Sequence, residues 1–135
     1  MIAPKVVDNR MIDKESILIP VPLHKLRYRE RGFNQSEIIC RSIGSTVSIP
    51  VETDILVRTR NTFTQTKLEA EERIRNVNEA FRVRDPNSVQ SRTVILVDDV
   101  VTTGSTMNSC AKCLKNAGAE KVIGLALARP VLDLY

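Results

Sequence analysis

Residues 94–106 read Val-Ile-Leu-Val-Asp-Asp-Val-Val-Thr-Thr-Gly-Ser-Thr, and a helical pattern starts at once behind them. A continuous aliphatic run reads as a strand covered on both faces, which is the habit of parallel sheets. That strand delivers two adjacent carboxylates, Asp98 and Asp99, to its carboxyl end. A loop of hydroxyls around one glycine then opens a helix. Open parallel sheets place ligands at that edge, and helix N-termini hold phosphate through free backbone N–H groups and the macrodipole. The segment is suited to a ligand that carries a phosphate together with hydroxyls or a metal ion.

The rest of the chain repeats the alternation. Residues 17–22, Ile-Leu-Ile-Pro-Val-Pro, read as a short buried strand whose exit the prolines force into an extended turn. The basic stretch His24 to Arg31 reads as a loop ending at Gly32. Asn34 is then a good N-cap with Glu37 three residues on, and Phe33 and Ile38 stand at the two positions of a hydrophobic staple. Ile39, Ile43 and Val47 continue one helical face, and the helix should fade between Gly44 and Ser48. Residues 54–57 read as a second strand and 81–83 as a small one, with a turn over 85–88. After the strand at 93–97, Met107, Cys110, Ala111 and Leu114 make the core stripe of a helix that Gly118 closes, and 122–128 is a last buried strand. Strands alternating with helices predict a Rossmann-like, three-layer α/β fold: an open, mainly parallel sheet of about five strands.

Composition sets the class. At 135 residues the chain suits a single domain. No apolar run reaches the roughly 20 residues of a membrane span, and the N-terminus shows no apolar signal segment. Membrane insertion is therefore not expected. Three cysteines, Cys40, Cys110 and Cys113, show no disulfide spacing, so a reducing cytoplasm is the expected home. Cys110 and Cys113 have Cys-x-x-Cys spacing without a second pair, so no zinc is expected.

The formal net charge of +4 is unevenly placed. Lys25, Arg27, Arg29 and Arg31 face one acid, Glu30, within seven residues. Between Arg58 and Arg84, seven cations face four acids. Two such clusters suit a polyanion, either a small polyphosphate or nucleic acid, with a solvated basic surface as the plain alternative. Residues 58–76, polar in front and helix-prone behind, read as a long loop of the kind that serves as a lid or binding loop, or else as a solvated helix.

The loop at 98–106 is neither a Walker A motif nor a Gly-x-Gly-x-x-Gly turn. It resembles the phosphoribosyl-pyrophosphate signature of type I phosphoribosyltransferases. Further blocks are similar to the ComF (competence protein F, GntX-like) branch. They are Pro20-Val21-Pro22-Leu23-His24, Arg31-Gly32-Phe33-Asn34-Gln35, Arg58 with Thr62, Gln65 and Leu68, Arg73 with Asn76-Val77 and Ala80-Phe81, and Leu127-Ala128-Arg129. The resemblance covers about residues 16–130, leaving an N-terminal arm at 1–15 and a tail at 131–135.

The resemblance implies a fold and a set of roles. The fold is the type I core with a reduced hood, since only the first 15 residues and the last few remain to build one. Asp98 and Asp99 would contact ribose hydroxyls and hold Mg²⁺, directly or through water, as the catalytic pair. Thr102, Thr103, Gly104, Ser105 and Thr106 would cradle the 5′-phosphate. Leu23, His24, Lys25 and Arg27 would bind pyrophosphate, with His24 more at home packing the loop than moving protons. Arg58, Arg60, Gln65 and Arg73 would belong to a flexible loop closing over the site. Members of the branch often carry an N-terminal four-cysteine zinc module, which nothing here supplies.

Three functions stay open on this reading. The first is transfer of phosphoribosyl from phosphoribosyl pyrophosphate to a nitrogen acceptor, with Mg²⁺. The second is binding of single-stranded DNA alongside competence proteins, with Tyr28, Phe33 and Phe63 as aromatics beside the basic clusters. The third is non-catalytic sensing of phosphoribosyl pyrophosphate. The acceptor is not legible, and monomer and homodimer are both compatible with the chain.

Overall fold

A computed structural model of the chain describes residues 15–59, 80–100 and 104–128. Its centre is a parallel sheet of β1 (Ile17–Pro20), β4 (Thr93–Val100) and β5 (Lys121–Ala128), in the order β1-β4-β5. Ile17 pairs with Val94 and runs in register to Pro20 with Val97; Thr93 pairs with Lys121 and Val100 with Ala128. β4 is the central strand, and its aliphatic run is buried from Val94 to Val97, as a strand with both faces covered must be.

Alternate residues divide between two cores. Ile17, Ile19, Val94 and Leu96 pack on one face with Leu56, Phe81, Val89, Cys110 and Leu114. Leu18, Ile95 and Val97 pack on the other with Cys40 and Ile49, flanked by Ile39, Ile43 and Val47. The helix α2 (Gln35–Val47) thus lies on one face and α3 (Ser105–Asn116) on the other. This is the three-layer arrangement expected from the sequence.

The five strands divide differently from the expectation. β2 (Leu56–Arg58) and β3 (Phe81–Val83) pair antiparallel in a ribbon of their own, with Arg58 opposite Phe81. β2 also starts two residues later than its aliphatic pattern suggests, because residues 53–55 bend. The outer edge of β1 is instead held by residues 50–52. Leu18 N–H donates to the Pro50 carbonyl at 2.9 Å, and Glu52 N–H to the Leu18 carbonyl at 2.9 Å.

The basic stretch is a helix rather than a loop. α1 spans Lys25–Arg31, with His24 as its N-cap: the Leu26 N–H donates to His24 Nδ1 at 3.2 Å. Residues 25–31 contain no glycine or proline, and Arg29 and Arg31 sit in the last turn, where cations complement the helix dipole. Its sequence lacks an apolar face, and none of its residues is buried, so no core periodicity could reveal it.

At the head of α2 the N-cap is Asn34, as expected, and its Oδ1 accepts from the Ser36 N–H at 3.0 Å. Glu37 is engaged with Arg41 at 3.1 Å, and Phe33 and Ile38 are both largely exposed. The deepest residues of α2 are Ser36, Cys40 and Gly44, a line one position on from the predicted Ile39–Ile43 face, which is half-buried. β4 continues to Val100, so the two acids lie within the strand rather than after it. β5 is less covered than expected of a buried strand, and Leu127 is exposed. No helix of the described residues is long and apolar enough to cross a membrane.

Candidate functional site

The carboxyl ends of β1 and β4, the head of α2 and the first turn of α3 meet around a cleft of about 230 Å³. Asp98 and Asp99 line it from β4, Ser36 from α2 and Thr106 from α3. Three arginines complete it: Arg27 and Arg31 from α1, and Arg58 from the end of β2. Acids and cations converge on one small volume, so the cleft can present carboxylates to hydroxyls or a cation and guanidinium groups to an anion.

Asp98 is held in place. Its Oδ1 accepts from the Ser36 hydroxyl at 2.9 Å and from the Asp99 N–H at 2.8 Å. Asp99 Oδ1 accepts from the Val100 N–H at 2.8 Å. Burial raises the Asp98 carboxyl above the usual aspartate range, and the Ser36 hydrogen bond works against that rise. Ser36 is itself fixed, because Asn34 caps the helix while its Nδ2 donates to the Val21 carbonyl at 3.1 Å. The head of α2 is thereby tied to the exit of β1, and a hydroxyl sits against the carboxylate. Sequence reading missed Ser36. The only available signal was its place at the second position of a well-capped helix.

Gly104 enters α3 at φ +85°, a left-handed conformation that costs a residue with a Cβ about 1 kcal/mol or more. Its carbonyl accepts from the Asn108 N–H at 2.8 Å, and no side chain caps the helix. Among the expected 5′-phosphate residues, Gly104, Ser105 and Thr106 are therefore gathered at the opening of α3, and Thr106 lines the cleft. Thr102 and Thr103 lie outside the described residues, as do Arg60, Gln65 and Arg73.

The expected pyrophosphate residues divide. Leu23 and Arg27 line the acid cleft, and Leu23 also borders a wider groove of about 680 Å³. His24 and Lys25 face that groove alone, on the other side of α1's first turn. His24 spends its Nδ1 on capping α1, which agrees with a structural use of this side chain. Arg58 was expected on a mobile loop. It is instead the last residue of β2, with its guanidinium carbon 5.1 Å from the centre of the Phe81 ring. Burial pulls its guanidinium below the usual arginine value, and Asp98 and Arg27 are among the charges it feels. It is a fixed wall shared by cleft and groove. Cys110 is in the core and Cys113 is half-buried, with both thiols raised by burial. Among the described residues no group of three or more His, Cys, Asp or Glu gathers as a metal cage.

The phosphoribosyl transferase domain family matches residues 35–130, which contain both acids, the α3 opening and the head of α2. The chain belongs to that family. Relatives place it on the ComF branch. It is 39% identical over 113 residues to competence protein F of Haemophilus influenzae, covering 83% of this chain and 49% of that protein. It is 42% identical over 112 residues to the DNA utilization protein YhgH of Escherichia coli O157:H7, covering 83% and 48%. With competence protein ComFC of Bacillus subtilis it shares 35% identity over 118 residues, covering 87% and 46%. The chain thus spans about half the length of the curated relatives it matches. Solved structures agree on the phosphoribosyltransferase fold. The glutamine phosphoribosylpyrophosphate amidotransferase of B. subtilis superposes with a TM-score of 0.58 at 18% identity, over 89% of this chain and 24% of that one. A Trypanosoma cruzi hypoxanthine phosphoribosyl transferase does so with 0.58 at 14%, over 96% and 62%.

Proposed function

We propose that this phosphoribosyl transferase domain binds phosphoribosyl pyrophosphate in the acid cleft and transfers the phosphoribosyl group to a nitrogen acceptor. The observation that carries the reading is the Ser36–Asp98 hydrogen bond at 2.9 Å beside Asp99, the open start of α3 and three arginines. Asp98 and Asp99 accept hydrogen bonds from the ribose hydroxyls. Gly104 to Thr106 offer N–H and hydroxyl groups to the 5′-phosphate. Arg27, Arg31 and Arg58 answer the charge of the pyrophosphate. The bond from the anomeric carbon to pyrophosphate breaks, the carbon–nitrogen bond forms, and the acceptor nitrogen loses its proton. Positioning and electrostatics supply the acceleration, because the protein contributes no covalent step.

Two carboxylates flanking a site for a diphosphate suit Mg²⁺, a hard cation that takes a few protein oxygens and completes its shell with water and phosphate oxygens. Asp98 and Asp99 would hold it. When bound it would neutralise charge building on the departing pyrophosphate. Calorimetric titration with phosphoribosyl pyrophosphate and Mg²⁺ tests the binding, and pyrophosphate release against a panel of bases, amines and ammonia tests the transfer. Binding is expected in the wild type and lost in Asp98→Asn and Asp99→Asn. Equal affinity in those variants defeats the reading.

A second reading, binding of single-stranded DNA, is favoured by α1. Arg29 and Arg31 are exposed beside Tyr28 and Phe33, residues that are 46% and 44% exposed. Cations that track phosphates beside accessible aromatic faces suit single strands. The relatives' names, competence protein and DNA utilization protein, point the same way. The two readings share Arg31 at the edge of the cleft and otherwise draw on different residues.

A further inference from the structure

The wider groove brings Tyr28 and Arg58 together with Lys25, Arg82, Arg84 and Asp54, which neither reading uses. One wall is the β2–β3 ribbon, the other is α1, and the floor is the exit of β1 from Pro20 to Leu23. Its volume of about 680 Å³ falls within the roughly 300–1,000 Å³ of small-molecule sites. From the ribbon come Arg82 and Arg84. Alternate residues on a strand share a face, and the Arg84 N–H, donating to the Ile55 carbonyl at 2.9 Å, carries the ribbon past β3. From α1 come Lys25 and Tyr28, three apart and so on one helical face. Among the described residues no ion pair engages Lys25, Arg82 or Arg84.

The acids of the groove narrow the ligand. Glu37 lines it but is engaged with Arg41, which leaves Asp54, beside Thr53, facing the cavity. A bare phosphate or diphosphate would be repelled by that carboxylate and would have no use for the Tyr28 ring. A ligand with an anionic end, a flat aromatic end and hydroxyl or amino hydrogens between them uses all of these groups. Arg82, Arg84 and Lys25 take the phosphate, Tyr28 offers its face to a base, and Asp54 and Thr53 accept from sugar hydroxyls or exocyclic amines. We propose that the groove between α1 and the β2–β3 ribbon is a binding site for a free nucleoside 5′-phosphate, separate from the acid cleft. Arg58, Leu23 and Asn34 border both spaces, so the two ligands would lie side by side.

The test is calorimetric titration of the full chain with AMP, GMP, CMP and UMP in turn, without phosphoribosyl pyrophosphate, and with inorganic diphosphate as the comparison anion. At least one nucleotide is expected to bind. Its affinity should fall about tenfold or more in Arg82→Ala/Arg84→Ala, since two charge-assisted bonds are lost. It should fall in Tyr28→Ala, recover in Tyr28→Phe, and stay unchanged in Asp98→Asn, whose mutation lies in the other space. Circular dichroism and melting of each variant check that the substitutions leave the fold intact. Four results overturn the proposal. One is no binding of any of the four at millimolar concentration. Another is affinity indifferent to the ribbon arginines. A third is loss of binding in Asp98→Asn. The last is diphosphate binding as tightly as the nucleotide with no effect of Tyr28→Ala. Retention of a single-stranded oligonucleotide with no mononucleotide bound counts with the first.

Discussion

At the scale of single residues, Asp98 carries the tension between fold and site. Its carboxyl is half-buried and titrates above an aspartate in the unfolded chain. Well below the unfolded value both states are protonated, and the group costs the fold nothing. As the pH rises through the folded value, the native state must ionise a partly desolvated carboxyl that the unfolded chain ionises freely, so stability falls and stays lower. Above that folded value the ionised Asp98 is therefore a burden on the fold. Asparagine keeps an Oδ1 to accept from Ser36 and from the Asp99 N–H while removing the charge. Asp98→Asn is expected to melt higher than the wild type at pH 7, the gain reduced by solvent screening of a half-exposed group. The gap should close as the pH falls below the aspartate range, and scanning calorimetry across pH reads both. A lower melting temperature at pH 7 would mean that the charge is held by favourable partners that outweigh its burial. Ser36 acts on the same carboxylate from the other side. Removing its hydroxyl in Ser36→Ala should weaken phosphoribosyl-pyrophosphate binding by about tenfold or more, the worth of one hydrogen bond to a charged group, and Ser36→Thr should restore part of it.

At the scale of elements, what could be read from the chain followed what has a periodic signature. β1 and β4 are legible because an aliphatic run has no other comfortable place than a covered sheet, and β5 shows the same pattern although its described residues are at most half-buried. α2 and α3 were visible through their caps and their apolar spacing. α1 was not, because every residue from Lys25 to Arg31 meets solvent at least in part and no core pattern exists to detect. The ribbon was half visible: Phe81 and Leu56 announced strands, but three-residue strands do not announce their partners. Ser36 stayed hidden because its contact reaches 62 residues along the chain to Asp98. Gly44 shows what a local rule leaves out. The helix ends at Val47 with Ser48 as its C-cap, within the 44–48 stretch the pattern marks, but the glycine is also there for close approach. A Cβ at position 44 would sit 2.5 Å from Val51 Cγ2 and 2.9 Å from the Ile49 carbonyl oxygen. Alanine gains about 1 kcal/mol of helix propensity but forces apart a backbone contact, and overpacking costs about 1–3 kcal/mol. Gly44→Ala is therefore expected to lower stability by up to about 2 kcal/mol, seen as a lower urea midpoint at unchanged slope. A stabilised variant would show that the 50–52 segment yields easily, and so that it does not clamp the edge of β1.

At the scale of the whole molecule, the net charge of +4 matters less than where the described cations stand. Lys25, Arg27 and Arg31 on α1 and Arg58, Arg82 and Arg84 on the ribbon line the cleft or the groove. Arg29 lies on α1 among them, exposed. The proposed phosphoribosyl-pyrophosphate reading uses only a few of these, and the surplus on α1 gives the single-strand reading its physical content. Neutralising phosphates releases condensed counterions, so affinity for a single strand falls with salt, the log–log slope being about −0.7 for each phosphate contacted. If Arg29 and Arg31 each neutralise one phosphate, Arg29→Ala/Arg31→Ala should flatten that slope by about 1.4, measured by fluorescence anisotropy of a labelled oligonucleotide over a salt series. Arg82→Ala/Arg84→Ala, on the far wall of the groove, should leave the slope as it is. Arg29 stands outside both the cleft and the groove, so a slope flattened by Arg29→Ala alone cannot be charged to either small-ligand site. A slope identical in wild type and the α1 variant would exclude Arg29 and Arg31 from contact with a single strand and overturn the single-strand reading.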